Sequence, residues 1–409
     1  MKEDTPTLFV GIDWGEEFSQ VCVMDHAGRV LKERSVKHSG EALERLFEEL
    51  TEMAGGRSEL MALAIETPRG AIVDGLLGRG FEVFSINPKQ LDRFRDRHTV
   101  AGAKDDRRDA FVLADSLRTD GPLFRRVQMD DAVIVELREL SRLRDDLVAE
   151  QRRHSNRLRQ QLHRFFPQVL ELSSAADELW IWGLLKLAPT PKHVERLSAR
   201  RLQKLLERFR IRRVDVLEVA RVLSQPPLPV APGVTEAAHA RIKVLVPQLE
   251  LIHQQLVECE AQIKALLERL EGDEGQGQHR GVRILLSLPG IGRSVAATML
   301  TEAFQPLAER DYSALRSICG VAPVTRRSGK SHAVLMRRAC NHRLREAVYH
   351  MARVNMQRDP LGRRRYDALR ARGHSHGRAL RGLADRLLKV LIAMLRTGTE
   401  YRPAMAVGG

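Results

Sequence analysis

The chain has 409 residues, 43% hydrophobic and 29% charged. That is enough apolar material for a sizeable core, and the length sets two or three domains as the expectation. No apolar run approaches the roughly 18 residues of a membrane span, MKEDTPTLFVGIDWG lacks the apolar centre of a secretory leader, and four dispersed cysteines without a CxxC pair disfavour a disulfide scaffold or zinc finger and suit a reducing cytoplasm.

The net charge of +14 is uneven: residues 280–409 hold 25 Lys and Arg against 8 Asp and Glu, and the rest of the chain is slightly acidic. Such a segment points to a polyanion, nucleic acid first; a solvated basic surface is the plainer alternative.

Residues 1–125 alternate strand and helix patterns. Leu8 to Asp13 is a short apolar run ending on a carboxylate, followed by strands over 20–25 and 29–31, which reads as an antiparallel meander. A helix over 39–53 is expected from the spacing of Leu43, Leu46, Phe47 and Leu50. Leu60 to Glu66 is another buried strand ending on a carboxylate. A helix over 71–77, a strand over 81–86 and a helix near 106–117 complete an α/β domain with an RNase-H-like order of elements.

Residues 126–280 read as helix. Leu137, Leu140, Leu143 and Leu147 form one apolar seam. Ile242, Leu245, Leu249, Ile252, Leu256, Cys259, Ile263, Leu266 and Leu270 form a second, with the 3,4 spacing of a coiled coil. Pro247 should kink that helix or mark its start. The segment between them carries Leu179-Trp180-Ile181-Trp182 and a basic helix near 202–213, so an antiparallel hairpin with a small tip is expected. Residues 281–409 form a basic, mainly helical domain. It opens on Leu288-Pro289-Gly290-Ile291-Gly292, a turn whose Gly290 and Gly292 bring backbone N–H groups within reach of a phosphate; a plain helix–turn–helix link is the alternative.

Four carboxylates stand out by position. Asp13 and Glu66 end strands, and Asp106 and Asp109 share one face of a helix start. Together they could hold two Mg²⁺ ions, since converging hard oxygens need divalent cations and a two-metal clamp suits phosphodiester displacement. Singly, each has a structural explanation: a turn for Asp13, a partnered carboxylate for Glu66, caps and first-turn acids for Asp105, Asp106 and Asp109.

The stretches Gly11-Ile12-Asp13, Ile65-Glu66-Thr67, Asn87-Pro88, Lys104 to Ala110, Leu288 to Gly292, Gly320-Val321-Ala322-Pro323, Arg327-Ser328-Gly329-Lys330 and Asn341 to Arg345 carry a resemblance. In this order the chain resembles the DEDD-type insertion-sequence transposases, with a RuvC-like N-terminal domain and a separate C-terminal transposase domain, and is similar to Piv-type DNA invertases. The resemblance covers both terminal domains; the helical middle matches in character only.

The family pattern K-[ST]-D-x-x-D-A falls on Lys104 to Ala110, with Asp105 in the Ser/Thr place, which leaves Asp105 as a rival ligand to Asp106. The resemblance implies Mg²⁺ on Asp13, Glu66, Asp106 and Asp109. It also implies a serine nucleophile, carried by the Pro-x₄-Ser-Gly spacing onto Ser328, with Ser331 as the local competitor. Arg326, Arg327 and Lys330 flank that serine and suit a scissile phosphate. Arg337, Arg338 and Arg343 extend the expected nucleic-acid contacts.

The family further implies donor and target DNA, a structured guide RNA from the element's non-coding flank, and a homo-oligomer, dimer or tetramer. The expectation is a cytoplasmic DNA recombinase; the alternative is a RuvC-like structure-specific endonuclease that uses water.

Overall fold

A computed structural model describes residues 6–86, 88–98, 105–127, 131–272, 281–328 and 331–402. The chain divides into two compact units, Met1–Asp131 and Ala132–Gly409.

The first unit contains β1 (Leu8–Trp14), β2 (Phe18–Asp25), β3 (Val30–Lys37), α1 (Gly40–Met53), β4 (Met61–Ile65), α2 (Ala71–Gly78), β5 (Glu82–Ser85), α3 (Pro88–His98), α4 (Asp106–Asp120) and the short β6 (Arg125–Arg126). The sheet order is β3-β2-β1-β4-β5-β6. β1, β2 and β3 form the antiparallel meander, while β1, β4 and β5 run parallel. β3 extends well past the expected 29–31, and its Lys32, Glu33 and Lys37 are exposed, which hides it from an apolar search.

Because strand side chains alternate between faces, each strand feeds two cores. Val10, Ile12, Val23, Leu63 and Ile65 pack under Leu46, Leu50, Ile72 and Leu76 of α1 and α2. On the other face Ala62 and Ala64 meet Leu91 and Phe94 of α3 and Val112, Leu113 and Leu117 of α4. Ser39 caps α1 by accepting from the Ala42 N–H.

The second unit begins with α5 (Ala132–Phe165). A tip follows, built from α6 (Gln168–Leu172), α7 (Leu179–Leu187), α8 (Pro191–Val194), α9 (Ala199–Arg208) and α10 (Val216–Leu223). The chain returns along α11 (Val234–Gly272). It then forms α12 (Gly281–Ser287), α13 (Arg293–Glu302), α14 (Phe304–Ala308), α15 (Tyr312–Ile318), β7 (Val324–Ser328), β8 (Ser331–Leu335), α16 (His342–Arg358), α17 (Pro360–Ala371) and α18 (His376–Thr397).

α5 and α11 run antiparallel: Arg144 pairs with Glu260 and Glu136 with Arg269, so one number rises as the other falls. Every member of the expected α11 seam is buried, and the helix continues through Pro247. On α5, Leu137 and Leu147 are buried but Leu143 is 47% exposed. The expected division at 280 is crossed by one core, in which Leu137, Leu147, Ile263 and Leu267 pack with Val282 and Ala297. Trp180 and Trp182 are fully buried in the tip with Phe165, Leu205 and Leu249.

Candidate active site and nucleic-acid interface

The placement of the four carboxylates follows from register. Gly11 and Ala64 are partners in the parallel β1–β4 pair, which ends at Ile12 and Ile65. Asp13 and Glu66 lie one step further, on neighbouring strands about 4.8 Å apart. By alternation both belong to the face that carries Gly11 and Ala64, the face covered by α4. A Cβ on Gly11 would stand 1.9 Å from the Ala110 carbonyl oxygen and 2.6 Å from the Ala114 nitrogen. Only glycine lets α4 sit this low on β1.

The direction of α4 decides which of its ends meets Asp13. Arg118, near the helix end, lies against Gly28 and the His26 carbonyl. That turn adjoins Asp25, the partner of Leu8 at the start of β1. The beginning of α4, with Asp106 and Asp109, therefore lies toward the Asp13 end. All four predicted carboxylates share one corner of the first unit.

Their surroundings differ. Asp109 is 2% exposed, and both its oxygens are held by Arg95 of α3, Nε–Oδ1 at 2.6 Å and Nη2–Oδ2 at 2.7 Å. Burial works against the Arg95 charge, but the hydrogen bonds and charge of Asp109, with Asp92 and Glu66 behind them, outweigh it and raise the Arg95 pKa. Asp106 is exposed. Asp105, the rival ligand, is the N-cap of α4 and accepts from the Arg107 N–H at 3.2 Å. Asp13 and Glu66 are half-buried.

The donor chemistry of Asp13, Glu66 and Asp106 fits a hard divalent cation. Asp109 fits it once Arg95 releases an oxygen. Among the described residues, no three His, Cys, Asp or Glu side chains stand close enough as placed to hold an ion. Sequence reasoning missed Arg95 and the whole of α3; the only signal was Leu91 and Phe94 three apart in a polar run.

Ser328 is exposed at the end of β7 and pairs with Ser331 across the hairpin. Strand alternation puts Arg326 on the same face as Ser328 and Arg327 on the opposite one, and both arginines are exposed. Lys330, like Lys104, lies outside the described residues. Arg337 is half-buried and donates to the Ala322 carbonyl at 3.3 Å, whereas Arg338 is exposed.

Gly290 and Gly292 line a groove of about 1410 Å³ whose other cationic walls include Arg144, Arg152, Arg293, Arg345, Arg353 and Arg381. Gly290 has φ +105°, and a Cβ there would approach the Met351 carbonyl oxygen to 2.3 Å. Its size is needed for packing the turn on α16. Asn355, fully buried, ties the same turn down by donating to the Pro289 carbonyl at 2.8 Å. Gly292 is the open N-cap of α13.

Arg343 also lines the groove, but its guanidinium is engaged inside the protein. It reaches Glu302 at 2.6 Å, Asp145 at 2.9 Å and Ser141 Oγ at 2.9 Å. Glu302 further accepts from Asn341 at 2.9 Å and Arg142 at 3.3 Å. Burial opposes the Glu302 charge, yet Asn341, Arg142 and Arg343 outweigh it and hold this carboxyl below its usual range.

Comparison with known proteins matches residues 10–167 to a transposase family model of the DEDD IS110 type and residues 282–367 to one described as the transposase IS116/IS110/IS902 family. The chain is 45% identical over 222 residues to a candidate transposase, y4uE, of Sinorhizobium fredii, a match spanning 54% of this chain and 62% of that protein. It is 30% identical to the candidate mini-circle transposase for IS117 of Streptomyces coelicolor, over 98% of this chain and 97% of that one. An uncharacterized 43.6 kDa protein of insertion element IS110, from the same organism, is also 30% identical over 98% of this chain and 97% of its own length.

Proposed function

The chain belongs to the DEDD transposase family of IS110-type insertion sequences, and on that premise we propose that it cuts and rejoins DNA strands using Mg²⁺ and a serine nucleophile. The observation that carries the reading is the seat of α4 on Gly11, which brings the Asp106 and Asp109 end of the helix to the strand ends bearing Asp13 and Glu66. The 3-2-1-4-5 strand order, three antiparallel strands followed by two parallel ones, supports an RNase-H-like or RuvC-like domain around that corner.

Asp13, Glu66, Asp106 and Asp109 would hold Mg²⁺. When bound, the ion supplies Lewis-acid polarisation of a phosphoryl oxygen. Arg95 orients Asp109 by holding both its oxygens, and would yield one of them to the ion. Ser328, presented on an exposed hairpin, is the nucleophile: its deprotonated oxygen bonds to phosphorus, a sugar hydroxyl leaves, and the later attack of a hydroxyl end frees the serine. Arg326, on the same hairpin face, stabilises the charge on the phosphoryl oxygens. The groove beside Gly290 and Gly292, with its arginines, takes phosphate backbone.

Two further parts rest on the family resemblance: a structured guide RNA and a homo-oligomeric assembly. The basic last third of the chain suits RNA as well as DNA. A non-coding flank able to fold into loops complementary to the element's junctions supports the guided form; a flank without them overturns it.

The test is mass spectrometry of a digested, DNA-trapped complex. A nucleotide on Ser328 is expected. A nucleotide on Ser331 or on a tyrosine overturns the assignment. Free 5′-phosphate ends with no adduct move the protein to the water-using nuclease class, a reading favoured by the first unit carrying all four carboxylates by itself. Asp106→Ala should abolish strand exchange and leave nucleic-acid binding nearly intact.

A further inference from the structure

Neither family model covers residues 168–281, where the tip lies. α9 is its most strongly two-faced helix. Leu202, Leu205 and Leu206 are buried against the tip core. Arg200, Arg201, Lys204 and Arg208 are exposed on the other side, Arg196 precedes them, and Arg210 and Arg212 follow. None of these seven has an ion pair with a described residue; Arg208 lies over the Phe209 ring at 5.4 Å.

Two features run against the local preference of the backbone. The first turn of α9 contains Arg200 and Arg201 and no acid. Cations at a helix N-terminus oppose the helix dipole and are disfavoured there. Just past the helix end, Arg210 holds φ +53°, a left-handed conformation for which glycine is the ordinary choice. Arg200 and Arg201 thus oppose the dipole at the N-terminal end, Arg210 holds a backbone that glycine would adopt at less cost, and an anion bound at the N-terminal end would reverse the first penalty.

We infer that the exposed face of α9 is a second nucleic-acid site, for the phosphate backbone of duplex DNA. It goes beyond the proposed chemistry and uses neither the carboxylates nor Ser328. Arg200, Lys204 and Arg208 are four apart and form one stripe about 12 Å long. That matches the roughly 12 Å width of the B-DNA major groove, so the stripe reaches phosphates on both edges. The deep, narrow major groove of A-form RNA fits it less well. Trp180 and Trp182 are buried and Phe209 is covered by Arg208, so backbone contact is favoured over base stacking.

The test uses the full chain carrying Arg200→Gln, Lys204→Gln and Arg208→Gln together. Binding to a labelled duplex of random sequence is measured by fluorescence anisotropy across a salt series. Each lost phosphate contact lowers the log–log salt slope by about 0.9, so the slope should fall by about 2.7 and low-salt affinity by about tenfold or more. The melting temperature should not fall, since all three side chains are exposed and Arg200→Gln removes a cation that opposes the helix dipole. Asp106→Ala should keep the full slope, so failure of the catalytic reading leaves this result standing. An unchanged slope in the triple variant overturns the site. A loss seen with a structured RNA and not with the duplex overturns the commitment to DNA.

Discussion

The carboxylate corner and the serine hairpin are built in opposite ways. At the corner, Asp109 is 2% exposed, clamped by Arg95, and positioned by a helix that touches a strand where no Cβ fits. The hairpin is two strands wide; Arg326, Arg327 and Ser328 are exposed, and Val334 and Leu335 are 58% and 43% exposed. A two-stranded hairpin is marginal by itself in water. The seat of Asp109 and of α4 on β1 is thus prebuilt by the fold, whereas the hairpin that carries Ser328 stands exposed.

The sharpest attack on that contrast removes the clamp. Arg95→Gln leaves a buried carboxylate without its countercharge and should cost about 4 kcal/mol in chelator. Mg²⁺ should restore part of the loss in a thermal melt, because a cation again faces Asp109. A melt unmoved by the substitution would mean that the corner is not prebuilt. Gly11→Ala comes next: α4 must lift off β1, at about 3 kcal/mol, with faster amide exchange in α4.

A smaller effect belongs to the ionic knot behind the groove. Glu302→Gln should cost about 2 kcal/mol. The folded pKa of Glu302 is lowered from 4.5, so its contribution is fully present above about pH 4.5 and is lost as pH falls through the depressed value. The variant should show a flatter acid-side loss of stability in urea titrations. The smallest effect is expected at the hairpin, where Val334→Thr should change stability by less than about 0.5 kcal/mol. A large loss there would show the hairpin to be docked and would dissolve the contrast.

The elements legible in the sequence were those whose burial leaves a period. The α11 seam is buried at every expected position, and β1 and β4 form as expected, with Asp13 next to the end of β1 and Glu66 just past the end of β4. α3 was missed because only Leu91 and Phe94 face its core, among charges that serve tertiary partners. Arg95 was invisible for the same reason, since its partner Asp109 comes from the next helix. Arg343 was counted among the expected nucleic-acid contacts; its commitment to Glu302, Asp145 and Ser141 depends on helices far apart in the chain. Asp105 could not be ranked against Asp106 by spacing, whereas the cap hydrogen bond gives it a separate role.

The antiparallel pair of long helices also sets a spacing. From Arg142, at the groove, to Phe165, under the tip core, α5 climbs roughly 35 Å at 1.5 Å per residue. One turn of B-DNA is about 34–36 Å. The rise of α5 between those two residues is therefore close to one turn of duplex DNA. The α5–α11 pair is thus a spacer of set length between the groove and the tip core, as well as a link between two folded ends.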